Sequence, residues 1–555
     1  MAFTSEGWQE RLRNSRLASL PLSSRFTIPS GIVTTTPAVI ARMARDVPAL
    51  GFLTTKTLSL EPRVGYREPI IFEYYPGCFV NAVGLANPGA EQFREAMRPY
   101  VPLSGGKPLV VSLMGQTPEE FLACAQVLDP ITDAFELNLS CPHVKGAGQT
   151  VGSDPEFVRT VLDLLRNWTP KPLIPKLSPN LPDVVGMAQL CADAGADGLS
   201  LINTVGPGMV VDEDGNPILS HIVGGLSGAG ILPIGLKIVR EVSTSVNLPI
   251  IASGGIGSWQ DVRAYEAAGA TFFGVGSRLA GMTTPEIALF FSQLAEGLTS
   301  ECPREVRTAY VKTHVKVTRD IGANLFFLEL EGGSCCQPGQ FFFLRIPGIG
   351  EKPFSPMGIA NLQFLVRQVG PFTTALRELK PGDPIFFRGP YGRGFPAPGA
   401  AKKVVLVGGG TGVAPLVLAA SMWRDTIARA YFGFSQPVAL GNLLQGIPEL
   451  RVVIDPPARP GEVIRKLIED VAQTPELYEE CQTFVCGPAS MMAFAAQVLE
   501  TTVPKHHIYL AREDIMRCGI GLCGSCGTED GLRSCVDGPV FPHGETDRPC
   551  FHHRG

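Results

Sequence analysis

The sequence predicts an α/β chain in which a (β/α)8 barrel fills the first three hundred residues and a second, multi-part module follows. Three observations carry this. Short apolar strands, among them FELNLS, PLIPKLS, GLSLINT, PIIASGG and TFFGVGS, alternate with longer segments of helical periodicity. Two segments, DAGADGLSLINT (193–204) and EAAGATFFGVGS (266–277), repeat one helix-to-strand unit through a Gly-Ala turn. A barrel of such units takes about 250 residues. Beyond about Pro303 the pattern changes to short alternating strands with Gly/Pro turns, as in a small antiparallel barrel, up to about Gly399.

Length agrees with this division, because 555 residues exceed the roughly 250–300 that one core supports. A net charge of −5 and the lack of any dense basic run exclude a nucleic-acid binder. The N-terminus, MAFTSEGWQERLRNSRL, has no apolar signal core. The most apolar stretch, VVLVGGGTGVAPLVLAASMW, is rich in glycine and is better explained as strand, turn and buried helix than as a membrane span. No membrane partner is expected. Fourteen cysteines without an export signal point to a reducing compartment, the cytoplasm, where thiols serve chemistry or metal.

Within the barrel, the polar residues gather at the C-terminal ends of strands: Asn138 with Cys141, Lys176, and Asn203 with Thr204. That edge holds the active site in barrels of this kind. Gly254 with Gly255, and Gly276 with Ser277, close the last two strands, where exposed backbone N–H groups bind a phosphate. GGLSG, ending at Gly228, offers a further phosphate or ring contact. Taken singly, such a glycine is as often a plain turn, Lys176 a surface lysine and Cys141 a buried structural thiol. Their common order on one edge is what favours function.

NLSCPH (138–143), NAVGLANPG (81–89), PKLSPN (175–180), INT (202–204) and GGLSG (224–228) together resemble the class 1 dihydroorotate dehydrogenases, above all the NAD-linked type. The likeness runs from about Phe26 to Phe291. It implies FMN at the barrel mouth and Cys141 as the base that takes a proton from C5 of the dihydropyrimidine while C6 gives hydride to flavin N5. A thiol, with pKa about 8.5, suits that task where its site favours thiolate. By the same resemblance Lys176 faces the flavin N1/O2 edge, and Ser30, Gly31, Lys56 and Thr57 lie against the flavin. Asn81, Asn138 and Asn203 hold the ring amides, with Thr204 beside them. Lys56 and the backbone of Val83, Gly84 and Leu85 cradle the substrate carboxylate. His143 departs from the family, which has asparagine there, and NLSCPH resembles dihydropyrimidine dehydrogenase at that position. The loop VKGAGQTVGSDP and the NAVGL anion cradle favour the dihydroorotate enzymes, since uracil has no carboxylate.

In the second half, AKKVVLVGGGTGVAPL gives a strand, a turn at Gly409, Gly410, Thr411 and Gly412, and a helix start, an arrangement that lets backbone approach a pyrophosphate. It does not match GxGxxG. RCGIGLCGSC sets Cys518, Cys523 and Cys526 at C-x4-C-x2-C, with Cys535 after eight more residues: the plant-type [2Fe–2S] spacing. A zinc site is the alternative, but zinc sites more often use paired short spacings. Residues 304–555 resemble the electron-transfer subunit that accompanies the NAD-linked enzymes, a ferredoxin-reductase-like module. The resemblance divides the chain into an FMN barrel (1–303), an FAD barrel (304–400), an NAD domain (401–508) and a [2Fe–2S] domain (509–555). Two flavin motifs depart from the family pattern. RPxS appears as Lys352-Pro353-Phe354-Ser355, where lysine lacks the guanidinium fork, and GxGT appears as Gly370-Pro371-Phe372-Thr373.

The expected activity is oxidation of dihydroorotate to orotate in pyrimidine biosynthesis, with electrons passing from FMN through the cluster and FAD to NAD+. A cluster carries single electrons, so a flavin on each side of it must split and reassemble the pair. The alternatives are a uracil or thymine dehydrogenase or another NAD(P)H-driven FMN ene-reductase. A third is an electron-carrier module with the barrel as scaffold. The resemblance also implies a homodimer or higher homo-oligomer.

Overall fold

The computed structural model describes residues 15–140, 151–298, 308–399, 402–455 and 461–544. Cys141 and His143 lie outside them. The chain divides into two compact units, Met1–Val306 with Ile520–Leu532, and Arg307–Gly519 with Arg533–Gly555.

In the first unit eight barrel strands alternate with eight helices. The strands are β1 (Phe26–Thr27), β2 (Leu53–Thr54), β3 (Leu109–Leu113), β4 (Ala134–Asn138), β5 (Leu173–Leu177), β6 (Leu199–Leu201), β7 (Ile250–Ser253) and β8 (Phe272–Gly274). Each is parallel to its neighbours, and the sheet closes where β1 pairs with β8 and Phe26 bridges Leu50 just ahead of β2. This is the (β/α)8 barrel that the alternation predicts. β3, β4 and β5 are buried along their whole length, as strands covered on both faces must be. β1 and β2 are two residues each, too short for any periodicity to reveal.

The helices α1 (Pro37–Asp46), α2 (Ala90–Met97), α3 (Pro118–Leu128), α4 (Pro155–Trp168), α5 (Val184–Asp193), α6 (Leu232–Ser243), α7 (Trp259–Ala267) and α8 (Thr284–Ala295) form the outer ring. Local chemistry starts them. Thr117, Asp154, Asp183 and Ser258 each accept a hydrogen bond from a first-turn N–H, and such caps contribute about 1 kcal/mol each. α4 then buries Val158, Val161, Leu162 and Leu165, an i, i+3, i+4, i+7 stripe, against the barrel. Insertions after β2 and β6 supply a four-stranded antiparallel sheet (Ile71–Tyr75, Cys78–Asn81, Val205–Met209, Val223–Gly228). It brings Asn81 beside Gly225, whose carbonyl accepts from Asn81 Nδ2 at 3.2 Å.

The second unit opens with a seven-stranded antiparallel sheet, from Val311–Gly322 to Pro384–Tyr391, with the helix Pro371–Glu378 at its side. A six-stranded sheet follows. Its strands Val404–Gly409, Ile427–Phe434, Leu450–Ile454, Gln482–Cys486, Ile508–Ala511 and Val540–Pro542 stand in the spatial order 3-2-1-4-5-6, parallel except for the last. That is the doubly wound order of dinucleotide-binding sheets, whose ligands sit where the order reverses, beyond the carboxyl ends of the first and fourth strands. Among the described residues no helix is long and apolar enough to cross a membrane.

Candidate active site at the barrel mouth

A cavity of about 440 Å³ opens at the C-terminal mouth of the barrel. Every barrel residue singled out from sequence that falls among the described residues lines it. β1 is followed by Ser30 and Gly31, β2 by Lys56 and Thr57, and the four-stranded sheet brings Asn81, Val83, Gly84 and Leu85. Asn138 ends β4, Lys176 sits in β5, and Asn203 and Thr204 follow β6. Gly228, Gly254, Gly255, Gly276 and Ser277 complete the glycine-rich side.

Thr57, only 3% exposed, is the hub of the polar floor. Its Oγ1 lies 3.0 Å from Ser30 Oγ and 2.9 Å from Ser112 Oγ, and accepts from Asn138 Nδ2 at 3.0 Å. Asn138 Oδ1 accepts from the Ser140 N–H, and Asn203 Nδ2 donates to Ser140 Oγ at 2.8 Å. The two asparagines are thereby held through a serine inside the NLSCPH motif.

Lys176 brings a buried ammonium to the same wall. Its Nζ lies 3.9 Å from Glu136 Oε1, beyond hydrogen-bond distance, and that oxygen is buried without a hydrogen-bond partner. A desolvated cation near a single carboxylate is costly unless something else uses its charge. An electron-rich ring edge in the cavity is such a group.

The glycine side has the shape a phosphate needs. Gly254 and Gly255 take φ of +118° and +79°, a region that favours glycine, and a Cβ on Gly255 would lie 2.7 Å from Leu232 Cβ. Ser253 Oγ, on the cavity lining, is buried without a partner. These features fit a bound FMN. Tyr265, fully buried on α7, donates from its hydroxyl to the Gly254 carbonyl at 2.7 Å, and burial, then the Asp261 charge, raises its phenol pKa. Tyr265→Phe leaves that carbonyl without its donor, at a cost of about 1–3 kcal/mol. We expect a lower melting temperature and a raised FMN dissociation constant, measured by flavin fluorescence.

Sequence reasoning missed several lining residues. Ser140 and Ser227 lie inside quoted motifs and were legible there, as was Arg278 directly after Gly276-Ser277, whereas Arg63 and Tyr66 stand in segments with no motif. Leu522 and Cys523 also line this cavity, and the Val33 N–H donates to the Leu522 carbonyl at 3.0 Å. All four cysteines of the C-terminal series are 5% exposed or less. Gly519, Gly521 and Gly524, between them, take φ of +79°, +73° and +72° and let the loop turn tightly. Among the described residues no group of three or more His, Cys, Asp or Glu side chains is arranged to hold a metal ion, so the spacing carries the ligand assignment.

In the second unit, the Phe354 and Phe372 rings stack at 6.2 Å, which brings the KPFS and GPFT segments together. Thr373 Oγ1 accepts from the N–H groups of Val369 and Gly370 at the start of the helix Pro371–Glu378. Pro353 and Ser355 are half-buried, and Lys352 is exposed. Gly409 ends the strand Val404–Gly409 and Gly410 to Gly412 follow it at the switch point, where a Cβ on Gly412 would lie 2.5 Å from the Cys486 carbonyl oxygen.

A (β/α)8 barrel with a buried lysine, paired asparagines and two glycine loops at its mouth has the arrangement that a flavin-dependent oxidoreductase requires. Residues 14–296 match the family model of dihydroorotate dehydrogenase, and the chain belongs to that family. Residues 513–547 match the iron–sulfur cluster binding domain of dihydroorotate dehydrogenase B. The chain is 39% identical over 285 residues to the catalytic subunit of dihydroorotate dehydrogenase B (NAD(+)) from Pyrococcus abyssi, covering 51% of this chain and 91% of that protein. The same-named subunit of Pelobacter propionicus is 44% identical over 256 residues, covering 46% of this chain and 82% of that protein. These matches imply FMN and an iron–sulfur cluster in an NAD-dependent oxidoreductase.

Proposed function

We propose that this chain oxidises dihydroorotate to orotate and passes the electrons through a [2Fe–2S] cluster and FAD to NAD+. The observation that carries the reading is one cavity lined by Lys56, Asn81, Asn138, Lys176 and Asn203 and flanked by two glycine loops. FMN, held there by the Gly254–Gly255 and Gly276–Ser277 backbone, supplies the acceptor for the hydride on C6. Cys141, three residues beyond Asn138, takes the proton from C5. The asparagine amides, each both donor and acceptor, fix the ring between these two events. Lys56 and the turn Val83–Gly84–Leu85 receive the carboxylate. Leu85 stands there at φ +53°, in a region a leucine rarely adopts, as backbone at binding sites often does.

Cys523 on the cavity wall supports an electron exit through the cluster, held by Cys518, Cys523, Cys526 and Cys535. The stacked KPFS and GPFT segments support an FAD site, and the Gly409–Gly412 turn at the switch point supports NAD binding. His143 favours a second reading, a dihydropyrimidine dehydrogenase. Anaerobic titration of the purified flavoprotein with dihydroorotate and, separately, dihydrouracil separates the two. Bleaching of the flavin band by dihydroorotate alone is expected, and bleaching by dihydrouracil alone overturns the proposal.

A further inference from the structure

The cavity wall at Val83, Gly84 and Leu85 is a turn with uncommon backbone: Gly84 stands at φ +74° and Leu85 at +53°. Backbone of that kind persists only where its surroundings over-determine it. Tyr66 supplies much of that constraint. Its N–H donates to the Val83 carbonyl at 3.1 Å. Its ring lies so close to Gly84 that a Cβ there would stand 2.9 Å from Cγ and Cδ2. The same ring stacks on His221, with centroids 3.8 Å apart and planes 9° from parallel.

The two rings come from different insertions, Tyr66 from the one after β2 and His221 from the one after β6. Backbone bonds tie these segments together beside the stack. The Ser220 N–H donates to the Pro69 carbonyl at 3.1 Å, and the Ala82 N–H to the Ile70 carbonyl at 2.8 Å. Ile222, next to His221, stands at φ +68°, a region that β-branched residues rarely enter. It sits in a tight turn in which the Val223 N–H donates to the His221 carbonyl at 2.7 Å. Burial does not account for this pairing, because Tyr66 is 37% exposed and His221 is exposed as well. A fixed ring geometry on the back of a binding turn does.

We propose that Tyr66 and His221 act together as positioning residues that hold the Val83–Gly84–Leu85 turn in the shape that receives a substrate carboxylate. The proposal rests on the reading of that turn as the carboxylate cradle. Tyr66 acts through Gly84 and the Val83 carbonyl, and His221 acts through Tyr66. A turn held ready in advance binds without first being ordered, so loss of the brace shows as lost affinity for the anion.

The test is titration of the full-length, FMN-loaded protein with orotate, followed by flavin difference absorbance. FMN affinity, read by flavin fluorescence, and the melting temperature are measured beside it. Tyr66→Ala is expected to raise the orotate Kd at least tenfold, about 1.4 kcal/mol, with the FMN Kd within about threefold of native. Tyr66→Leu, which keeps apolar bulk without a ring to stack, is expected to behave in the same way. Tyr66→Phe restores the ring and is expected to bind orotate within about threefold of native. His221→Ala is expected to weaken orotate at least threefold. Added to Tyr66→Ala it is expected to do nothing more, because it then has no ring to brace. A merely structural pair would lower the melting temperature and weaken FMN as much as orotate, and that result overturns the proposal. So does an orotate Kd within about threefold of native in Tyr66→Ala, or additive effects in the double variant. A native protein that binds FMN but not orotate overturns the reading of the cradle itself.

Discussion

Replacing Cys141 with alanine is expected to slow flavin reduction by dihydroorotate about 10²–10⁴-fold, the usual contribution of a positioned general base. The FMN spectrum and the melting temperature are expected to stay as they are, because hydrogen bonds among Thr57, Asn138 and Ser140 hold the polar floor. Cys141→Ser is a second probe. A serine hydroxyl is far less acidic than a thiol, so it accepts the C5 proton only at higher pH, and the rate should rise steeply with pH where the native enzyme has levelled off. Stopped-flow absorbance with dihydroorotate under anaerobic conditions reads both. A C141A chain that is reduced at the native rate would remove Cys141 from the mechanism.

The second large effect is expected at Lys176. Its ammonium is the buried cation that the β5 backbone holds against the cavity, and methionine keeps its length without its charge. Loss of a preorganised group that stabilises developing negative charge costs about 10²–10³-fold in rate. Lys176→Met also strands the Glu136 carboxylate, 3% exposed and otherwise 3.9 Å from the ammonium, and breaking a buried pair from one side costs about 3–5 kcal/mol. The two effects separate in the double variant Lys176→Met/Glu136→Gln, which should regain most of the melting temperature and none of the rate. Recovery of rate along with stability would reduce Lys176 to a structural role.

The sequence displayed the barrel clearly where strands are long and buried on both faces, at β4 and β5, and through the repeated Gly-Ala turns into β6 and β8. It concealed β1 and β2, which are too short to carry a period. The site was legible wherever a strand end broke an apolar run with a polar residue, as at Asn138, Lys176 and Asn203. Glu136 was hidden inside the run FELNL, since nothing local distinguishes a buried carboxylate facing a lysine on the next strand. Arg63 and Tyr66 reach the cavity through chain path alone.

Leu522 and Cys523 close one wall of the barrel-mouth cavity. A piece of the barrel's own lining is encoded more than two hundred residues after its last helix, and it reaches the mouth by chain closure. Loop closure grows costlier only with the logarithm of chain length, by about 0.6 kcal/mol per doubling. A separate polypeptide delivering the same wall would dissociate on dilution, whereas a tethered segment binds at a fixed effective concentration. The lining of this cavity is therefore independent of how much protein the cell makes.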